Sequence, residues 1–363
     1  MNFELFLIIA TICYGCLVLL FLYGLTRIRD RAGHASPFVS VIVAARDEEE
    51  NIAECLASVL QQTYPSNLFE VIVVDDDSTD STAAICKEFM ERFPNLLCVA
   101  APENPSLRGK PNALACGIDA ANGEVILITD ADCTVPSTWI ECTAQRYEGN
   151  IGLIGGITLQ RNTNWFEGMQ SLDWAFILGM AASTAGLGHQ HGSIGNNLSF
   201  RKKAYDQVGG YRNLKFSVTE DYTIVQAIID SCRWDYIYPI DPKTMVESKP
   251  CSDWKTLLRQ KQRWGKGALD MKISGFFIMA IGFCMHVSPF VMLYWGSVVL
   301  SASMLLVKFI FDYIFLYRFL KRVERISELK WFYYFEIYFI LYVILLPFLV
   351  FFGGKVQWKG RTF

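Results

Sequence analysis

Hydrophobic positions along the chain follow two patterns, one continuous and one alternating. Residues 5–25 form an uninterrupted apolar run of about 20 residues, the length that an α-helix needs to cross a bilayer. From residue 38 onward, short β-branched runs alternate with stretches of helical periodicity, and long apolar segments return near residue 273. The pattern predicts an N-terminal membrane helix, a middle domain of mixed structure and C-terminal membrane helices.

The middle of the chain predicts a regular succession of strands and helices. Strands are expected at 39–44, 70–74, 96–100 and 125–129, and helices at 48–62, 81–93, 112–121 and 222–229. Strands that alternate with helices in this way form a parallel sheet with right-handed crossovers. We therefore expect an α/β domain with a mostly parallel sheet.

The apolar residues after position 273 predict three further helices. Residues 273–319 are too many for one crossing, so two helices that break at 294–296 are expected, followed by a third at 331–352. The expected domains are a membrane anchor and linker at 1–36, a cytoplasmic catalytic domain at 37–270, and membrane helices with a tail at 271–363.

Basic residues predict how the membrane segments are oriented. Arg27, Arg29 and Arg31 follow the first apolar run, so the positive-inside rule places the N-terminus outside and the next domain in the cytoplasm. A second cytoplasmic loop is indicated by Arg318, Lys321, Arg322 and Arg325. Three returning crossings would leave outside the basic residues of the tail, which are Lys355, Lys359 and Arg361. Either the tail departs from the rule, or one apolar segment lies in the membrane interface.

Composition and charge exclude several classes of protein. The chain has 363 residues, is 52% hydrophobic and carries a net charge of −3, with Lys and Arg dispersed, so nucleic-acid binding is not expected. Eleven cysteines form no disulfide framework and fit a reducing compartment. The four histidines offer no zinc pattern.

Acidic residues stand directly after two of the predicted strands. Asp75 and Asp76 follow the strand at 70–74, and Asp130 and Asp132 follow the strand at 125–129. Ligands bind to open α/β sheets at the carboxyl ends of the strands. Asp130 and Asp132 project to the same side of an extended segment and are a candidate site for a divalent metal. The alternative is that these residues end strands or cap helices, with Ser78, Asp80 or Ser81 as the cap.

A Gln/Arg/Trp cluster stands just before the second apolar region. Gln260, Arg263 and Trp264 are spaced i, i+3 and i+4, which places them on one face of a helix. Arg263 can donate two hydrogen bonds to phosphate oxygens, and Trp264 can form an aromatic wall for the acceptor. A basic helix lying on the membrane would explain the same segment, together with Arg259, Lys261, Lys266 and Lys272. We expect one element to serve both functions.

Four motifs in this order resemble those of the family 2 inverting glycosyltransferases. The motifs are residues 75–80, Asp130-Ala131-Asp132, Thr219-Glu220-Asp221 and residues 260–264, and the resemblance spans about residues 37–265. It implies a glycosyltransferase-A fold, which is Rossmann-like, here flanked by transmembrane helices. It also implies a UDP-sugar donor and Mg²⁺ or Mn²⁺ as cofactor.

The resemblance also implies a role for each motif. Asp75 and Asp76 correspond to uridine-binding residues, and Lys110 to a contact with the diphosphate or the base. Asp130 and Asp132 would hold the metal, with Asp130 also contacting the donor, while Gln260, Arg263 and Trp264 complete the donor site. Asp221 corresponds to the general base, which must take the proton of the acceptor hydroxyl. The alternatives are a solvated surface lysine at position 110 and a helix cap at Thr219 or Asp221.

These expectations describe a multi-pass protein of the inner membrane. Its cytoplasmic domain would transfer one sugar from a UDP-sugar to a lipid acceptor in the bilayer. A processive polysaccharide synthase is an alternative, although only three short C-terminal segments remain for a polymer channel, with few intramembrane polar residues beyond Lys308 and Asp312. A non-catalytic membrane protein that senses nucleotide-sugars is another.

Overall fold

The computed structural model describes residues 3–29, 33–102, 104, 107–215, 217, 219–354, 357–358 and 361–362. Arg31, Lys355 and Lys359, which enter the prediction of orientation, lie outside the described residues. The chain divides into two compact units. One is an α/β unit of residues 29–159 and 192–249, and the other is a helical unit of residues 1–28, 160–191 and 250–363.

The described strands are short and concentrated in the α/β unit. They are β1 (Val39–Ala45), β2 (Phe69–Asp75), β3 (Leu96–Ala100), β4 (Val125–Asp130), β5 (Cys133–Thr134), β6 (Ile151–Gly155), β7 (Thr158–Gln160), β8 (Leu198–Arg201), β9 (Asp235–Ile237), β10 (Val246–Ser248), β11 (Gln357–Trp358) and β12 (Arg361–Thr362).

The described helices fall into both units. They are α1 (Phe3–Thr26), α2 (Ile52–Leu60), α3 (Thr82–Arg92), α4 (Lys110–Ala120), α5 (Trp139–Ala144), α6 (Trp165–Gly186), α7 (Lys202–Gln207), α8 (Gly210–Asn213), α9 (Glu220–Asp230), α10 (Trp254–Gly267), α11 (Ile273–Tyr294), α12 (Val298–Arg322) and α13 (Phe332–Phe352).

A seven-stranded sheet in the order β3-β2-β1-β4-β8-β6-β9 forms the centre of the α/β unit. Strands β3, β2, β1 and β4 run parallel, β8 runs antiparallel to both β4 and β6, and β9 is parallel to β6. The predicted α/β fold with a mostly parallel sheet is therefore confirmed. A second, three-stranded sheet has the order β5-β10-β7.

Strands β1, β2 and β4 of the large sheet are apolar on both faces because each face is covered. Val41 and Val43 pack into one hydrophobic cluster with residues of α2, while Ile42, between them, packs into a second cluster with residues of α4. Strands that are buried on both sides are expected to be continuously apolar. This explains why the strand predictions at 39–44, 70–74, 96–100 and 125–129 are confirmed to within two residues.

Helix α2 is shorter than the predicted helix at 48–62. It begins at Ile52, and the residues before it form turns. The backbone N–H of Glu48 donates to Thr82 Oγ1 at 2.8 Å, and that of Glu49 donates to Asp80 Oδ2 at 3.0 Å. Asp80 and the first residue of α3, Thr82, therefore hold this segment in a turn before α2 begins.

Among its described residues, the helical unit has four helical segments that are long and apolar enough to cross a membrane: α1, α11, α12 and residues 326–352, which include α13. This agrees with the four predicted membrane segments. The predicted break between α11 and α12 is also confirmed, since α11 ends at Tyr294 and Gly296 has a φ of +81°, which favours glycine.

Helix α6 belongs to the same unit and was not anticipated from the sequence. It packs closely on α1, where a Cβ added to Gly24 would lie 2.2 Å from the backbone oxygen of Ser183. The division into three domains expected from the sequence, with boundaries after residues 36 and 270, stays a prediction.

A charged cluster lies inside the helical unit. Lys308 Nζ donates to Asp312 Oδ2 at 2.7 Å and to Glu336 Oε2 at 2.6 Å, and Tyr14 donates its hydroxyl proton to the other oxygen of Asp312. All four side chains are buried. The sequence had indicated Lys308 and Asp312 but not Glu336.

Candidate active site

Two of the acidic motifs lie at the same edge of the large sheet. Asp75 is the last residue of β2 and pairs in register with Ala45 of β1, while Asp130 ends β4 and pairs with Ala44 on the other side of β1. Because these strands are parallel, their carboxyl ends open onto one crevice. The sheet order thus brings together motifs that are far apart in sequence.

The loops after β1 and β2 hold each other in place. The backbone N–H of Thr79 donates to Asp47 Oδ1 at 2.8 Å, and the backbone N–H of Asp47 donates to Ser78 Oγ at 3.1 Å. Asp47 and Asp77 both have positive φ angles, of 49° and 62°. The side chain of Arg46 also donates to the backbone oxygen of Asp76 at 2.5 Å. The rim of the crevice is therefore fixed before any ligand binds.

Asp75 and Asp76 differ in their surroundings. Asp75 Oδ1 accepts a hydrogen bond from the backbone N–H of Ser78 at 3.1 Å, while Asp76 is buried and its backbone N–H donates to Ala45 at 2.8 Å. Of the three predicted helix caps, Ser81 stands at the N-cap position of α3 but makes no capping hydrogen bond, and Ser78 bonds to the other loop. Asp80, just before Ser81, accepts from the backbone N–H of Thr82, the first residue of α3, at 2.9 Å.

Lys110 is the positive centre of this edge. It is the first residue of α4, and its Nζ lies 2.5 Å from Asp130 Oδ1 and 3.4 Å from Glu220 Oε1. Only 16% of its side chain is exposed, so the alternative of a solvated surface lysine is wrong. Burial lowers the pKa of Lys110, but the carboxylates of Asp130 and Glu220 outweigh burial and raise it overall. The side chain is held in its charged form.

Asp132 has an environment that resists negative charge. Burial, the carboxylate of Asp130 and that of Glu48 together raise the pKa of Asp132 to about 6. The thiol of Cys133 lies 3.4 Å from its Oδ1, and the thiol of Cys55 donates to the backbone oxygen of Asp130 at 3.5 Å. A cation placed between the two aspartates would relieve this unfavourable charge.

The chemistry of these donors fits a magnesium or manganese ion that is shared with a substrate. Among the residues that the structure describes, no group of three or more His, Cys, Asp or Glu side chains is arranged to hold a metal. Mg²⁺ is commonly bound by one or two carboxylates and completed by substrate phosphates. The pair of Asp130 and Asp132 provides such a partial set of ligands.

Asp221 lies beside Lys110. It is the second residue of α9, and a Cβ added to Gly195 would lie 3.3 Å from Asp221 Cβ and 3.5 Å from Lys110 Nζ. Gly195 thus allows the backbone to approach both side chains. The helix-cap alternative fails for Thr219, whose side chain makes no capping hydrogen bond. Asp221 Oδ1 accepts from the neighbouring N–H of Tyr222 at 2.8 Å, which is not a capping contact with a later turn.

The loop that carries Gly195 is anchored by a buried amide. Asn197 Nδ2 donates to the backbone oxygens of Ile157 at 2.8 Å and Thr244 at 2.9 Å. Its Oδ1 accepts from Trp139 Nε1 at 3.0 Å. The position of Gly195 against Asp221 is therefore set by the core of the α/β unit.

The remaining predicted residues, Gln260, Arg263 and Trp264, belong to the helical unit. They lie on α10, so the prediction of a helix is confirmed. Gln260 Oε1 is buried and has no hydrogen-bond partner among the described residues. The ring of Trp264 lies 5.5 Å from that of Trp174, measured between centroids.

Three residues of the candidate site or its supports were missed or misassigned from the sequence. Glu220 lies inside a recognised motif, but its contact with Lys110 was not foreseen, and Gly195 was noted only as part of a polar loop. Lys261 was assigned to the membrane-facing surface of a basic helix, which is wrong, because it is fully buried and paired with Asp173. No local signal in the sequence distinguishes Lys261 from the basic residues around it.

Two curated proteins with similar sequences are glycosyltransferases by name. The chain is 27% identical over 236 residues to glycosyltransferase AglE of Haloferax volcanii, covering 65% of this chain and 74% of that protein. It is 27% identical over 239 residues to β-monoglucosyldiacylglycerol synthase of Nostoc sp., covering 64% of this chain and 49% of that protein. The chain thus spans about half the length of the second relative.

A solved structure has the same fold. The mannosyltransferase PcManGT of Pyrobaculum calidifontis, in complex with GDP-Man and Mn²⁺, superposes with a TM-score of 0.61 at 18% identity, over 97% of this chain and 99% of that one. This structural similarity confirms the expected glycosyltransferase-A fold. A family model matches residues 4–363, and it is that of family 21 instead of the family 2 with which the motifs were compared. The prediction of a glycosyltransferase is confirmed: the chain belongs to glycosyl transferase family 21.

Proposed function

We propose that this protein transfers one sugar from a UDP-sugar to a lipid acceptor at the cytoplasmic face of the inner membrane, with inversion at the anomeric carbon. The observation that carries the proposal is the grouping of Asp221, Lys110 and Asp130 at one end of the sheet. It supplies a carboxylate, a fixed positive charge and a candidate metal ligand side by side. Membership of the family and the name of the lipid-glucosylating relative support the choice of reaction.

The donor is assigned to the edge formed by β2 and β4. Asp75 and Asp76 stand where they can accept a hydrogen bond from a uracil N–H, and Lys110 where it can neutralise a diphosphate. Gln260 and Arg263 are proposed to contact the donor phosphates, and Trp264 to form an aromatic wall for the acceptor. Lys110 has two carboxylate partners, Asp130 and Glu220, and a diphosphate would compete with them for its ammonium group.

Asp130 and Asp132 are proposed to hold Mg²⁺ or Mn²⁺. When bound, the ion would neutralise the negative charge that develops on the leaving diphosphate. The charge repulsion between the two carboxylates, which raises the pKa of Asp132, supports a cation at this position. The Mn²⁺ in the PcManGT complex supports the same choice.

Asp221 is proposed to act as the general base. An inverting displacement needs a carboxylate that takes the proton of the attacking hydroxyl as the new glycosidic bond forms. The positive charge of Lys110 next to Asp221 stabilises the ionised carboxylate before the reaction, and the accepted proton then neutralises it. Lys110 thus helps to keep the base in the form that the reaction requires.

The lipid acceptor is inferred from the helical unit. Four helices are long and apolar enough to span a bilayer, and α10 stands immediately before the second of them in sequence. A hydroxyl or phosphate at the membrane interface would be accessible to a site carried near such an element. A soluble acceptor would not require this combination.

The experiment is to incubate membranes that contain the protein with radiolabelled UDP-glucose, UDP-galactose, UDP-GlcNAc and GDP-mannose. We expect one UDP-sugar to label a product that extracts into chloroform/methanol, carries the mass of a single added sugar, and has the anomeric configuration opposite to that of the donor. EDTA should abolish the labelling, and excess Mg²⁺ or Mn²⁺ should restore it. Membranes from cells without the protein are the control.

Three results would contradict the proposal. Label in an ethanol-insoluble polymer would favour the polysaccharide synthase. Transfer from GDP-mannose alone would contradict the proposed UDP-sugar donor. Full activity in the presence of EDTA would show that Asp130 and Asp132 have a structural role.

A further inference from the structure

Helix α10 carries an ion pair that is sealed from solvent. Lys261 and Asp173 of α6 are both 0% exposed and form a salt bridge, and Tyr338 of α13 donates its hydroxyl proton to Asp173 Oδ2 at 3.1 Å. A buried ion pair is a weak source of net stability, because removing two charges from water costs about as much as their attraction returns. Its best-attested use is to fix one arrangement of helices against the alternatives.

The same lysine contacts the tryptophan of the Gln/Arg/Trp motif. Lys261 Nζ lies 4.2 Å from the ring centroid of Trp264 and 5.3 Å from that of Tyr342, within the range of cation–π attraction. Trp264 also contacts Trp174, the residue after Asp173 on α6. The centroids of the two tryptophan rings are 5.5 Å apart. Two consecutive residues of α6 therefore hold two positions of α10 that are one turn apart.

Helix α10 also lies directly against α13, at Gly265. A Cβ added to Gly265 would lie 2.5 Å from Val350 Cγ2 and 2.8 Å from Leu346 Cδ1, so α10 packs directly on α13 at this point. With 3.6 residues per turn, Lys261 and Arg263 point in directions that differ by roughly 160° around the helix. Fixing Lys261 on the buried side therefore directs Arg263 away from α6 and α13.

We infer that the pair of Asp173 and Lys261 is a positioning device for Trp264: it fixes the rotation of α10 and the plane of the Trp264 ring. The inference rests on the proposed function, in which Trp264 contacts the acceptor. A rotation of α10 by one residue would move the ammonium group of Lys261 from Asp173 into apolar surroundings. The charged pair thus permits one orientation, which an apolar pair of similar size would not enforce.

The test uses the full-length protein in lipid nanodiscs and compares Lys261→Met, Lys261→Arg and the double variant Asp173→Leu/Lys261→Met. Thermal unfolding is measured beside kcat and KM for donor and acceptor. The single Lys261→Met variant should unfold at a lower temperature, because Asp173 is left as an unpaired buried charge. The double variant should unfold near the wild-type temperature but show an acceptor KM raised about tenfold, with the donor KM unchanged.

Two variants serve as controls. Lys261→Arg keeps the charge and the contact with the tryptophan ring, so it should retain an acceptor KM within about threefold of the wild type. Lys255→Met removes an exposed lysine from the first turn of the same helix and should leave both KM values unchanged.

Each result bears on the inference. A folded double variant with a wild-type acceptor KM would show that the ring does not depend on the pair, and a double variant that fails to fold would show that the pair carries stability. Either result overturns the inference. Wild-type protein that transfers no sugar to lipid in the same assay would instead contradict the proposed function, whatever the variants do.

Discussion

Each unit of the protein contains a lysine that lies between two carboxylates, and the two clusters have almost the same charges in different surroundings. In the α/β unit the cluster consists of Lys110, Asp130 and Glu220, and in the helical unit it consists of Lys308, Asp312 and Glu336. The lysine-to-carboxylate distances are 2.5 and 3.4 Å in the first cluster, and 2.7 and 2.6 Å in the second.

The clusters differ in access. The side chains of Lys110 and Asp130 are 16% and 31% exposed, they stand at the ends of a helix and a strand, and Asp221 lies next to them. Lys308 and Asp312 are 0% exposed and lie in the middle of a long helix. A ligand can replace one partner of an ion pair only where it can reach the pair. The difference in access supports the proposal that the first cluster serves binding and catalysis, whereas the second cluster links α12 and α13 inside the helical unit.

The largest effect is expected from Lys308→Met. The substitution leaves two carboxylates buried without a positive partner, which should lower the free energy of unfolding by about 3 to 5 kcal/mol. Thermal unfolding in detergent micelles measures the change, and Lys321→Met, at the exposed end of the same helix, is the control. Activity per folded molecule should stay near the wild-type value. A Lys308→Met variant that is stable but inactive would mean that this cluster takes part in catalysis, and the two clusters would then not differ in function.

Asp221→Asn is the corresponding change in the accessible region. Loss of the proposed base should lower kcat by about 10²-fold or more, which is about 2.7 kcal/mol of transition-state stabilisation, while UDP affinity stays nearly intact. Steady-state kinetics and UDP binding by calorimetry give the two values. Asp230→Asn, at the other end of α9, is the matched control. Near-normal transfer by Asp221→Asn would remove this residue from the role of base.

Lys110→Gln tests whether the first cluster is built for a ligand. Because the side chain of Asp130 is 31% exposed and can be hydrated, the loss of folding stability should be well below that of Lys308→Met. Donor affinity should fall about tenfold, or about 1.4 kcal/mol, because one positive contact with the diphosphate is lost. Lys87→Gln, on the exposed face of α3, controls for the change in net charge. A loss of stability as large as that of Lys308→Met, together with unchanged donor affinity, would mean that both clusters serve only to stabilise the fold.

The features that sequence could predict are those that depend on neighbours in the chain. The strands before Asp75 and Asp130 are continuous apolar runs, and the end of such a strand in a parallel sheet is a known ligand position, so these residues were found without a structure. The membrane helices were found for the same reason, since length and composition define them.

The features that sequence could not predict depend on distant partners. Helix α6 has buried polar residues such as Gln170 and Asp173 along an otherwise apolar length, so neither a surface stripe nor a membrane span is evident. Lys261 resembles the other basic residues of α10 until its partner Asp173 is known. Glu336 follows a run of aromatic residues and gains its meaning only from Lys308 of another helix. In each of these cases the partner lies on a different element.

The smallest effect is expected from Glu336→Gln. This substitution tests whether Lys308 needs both of its carboxylate partners, Asp312 and Glu336, in the buried cluster. Two carboxylates face one ammonium group there, and Glu336 Oε1 is buried without a hydrogen-bond partner among the described residues. A glutamine keeps an oxygen that accepts from Lys308, removes the surplus negative charge, and leaves Asp312 to neutralise the lysine. The free energy of unfolding should therefore change by no more than about 1 kcal/mol, measured in the same micelles as Lys308→Met. If Glu336→Gln lowered the free energy of unfolding as much as Lys308→Met does, Lys308 would need both carboxylates. The buried cluster would then act as one unit of three charges, and not as a Lys308–Asp312 ion pair with Glu336 as a dispensable neighbour.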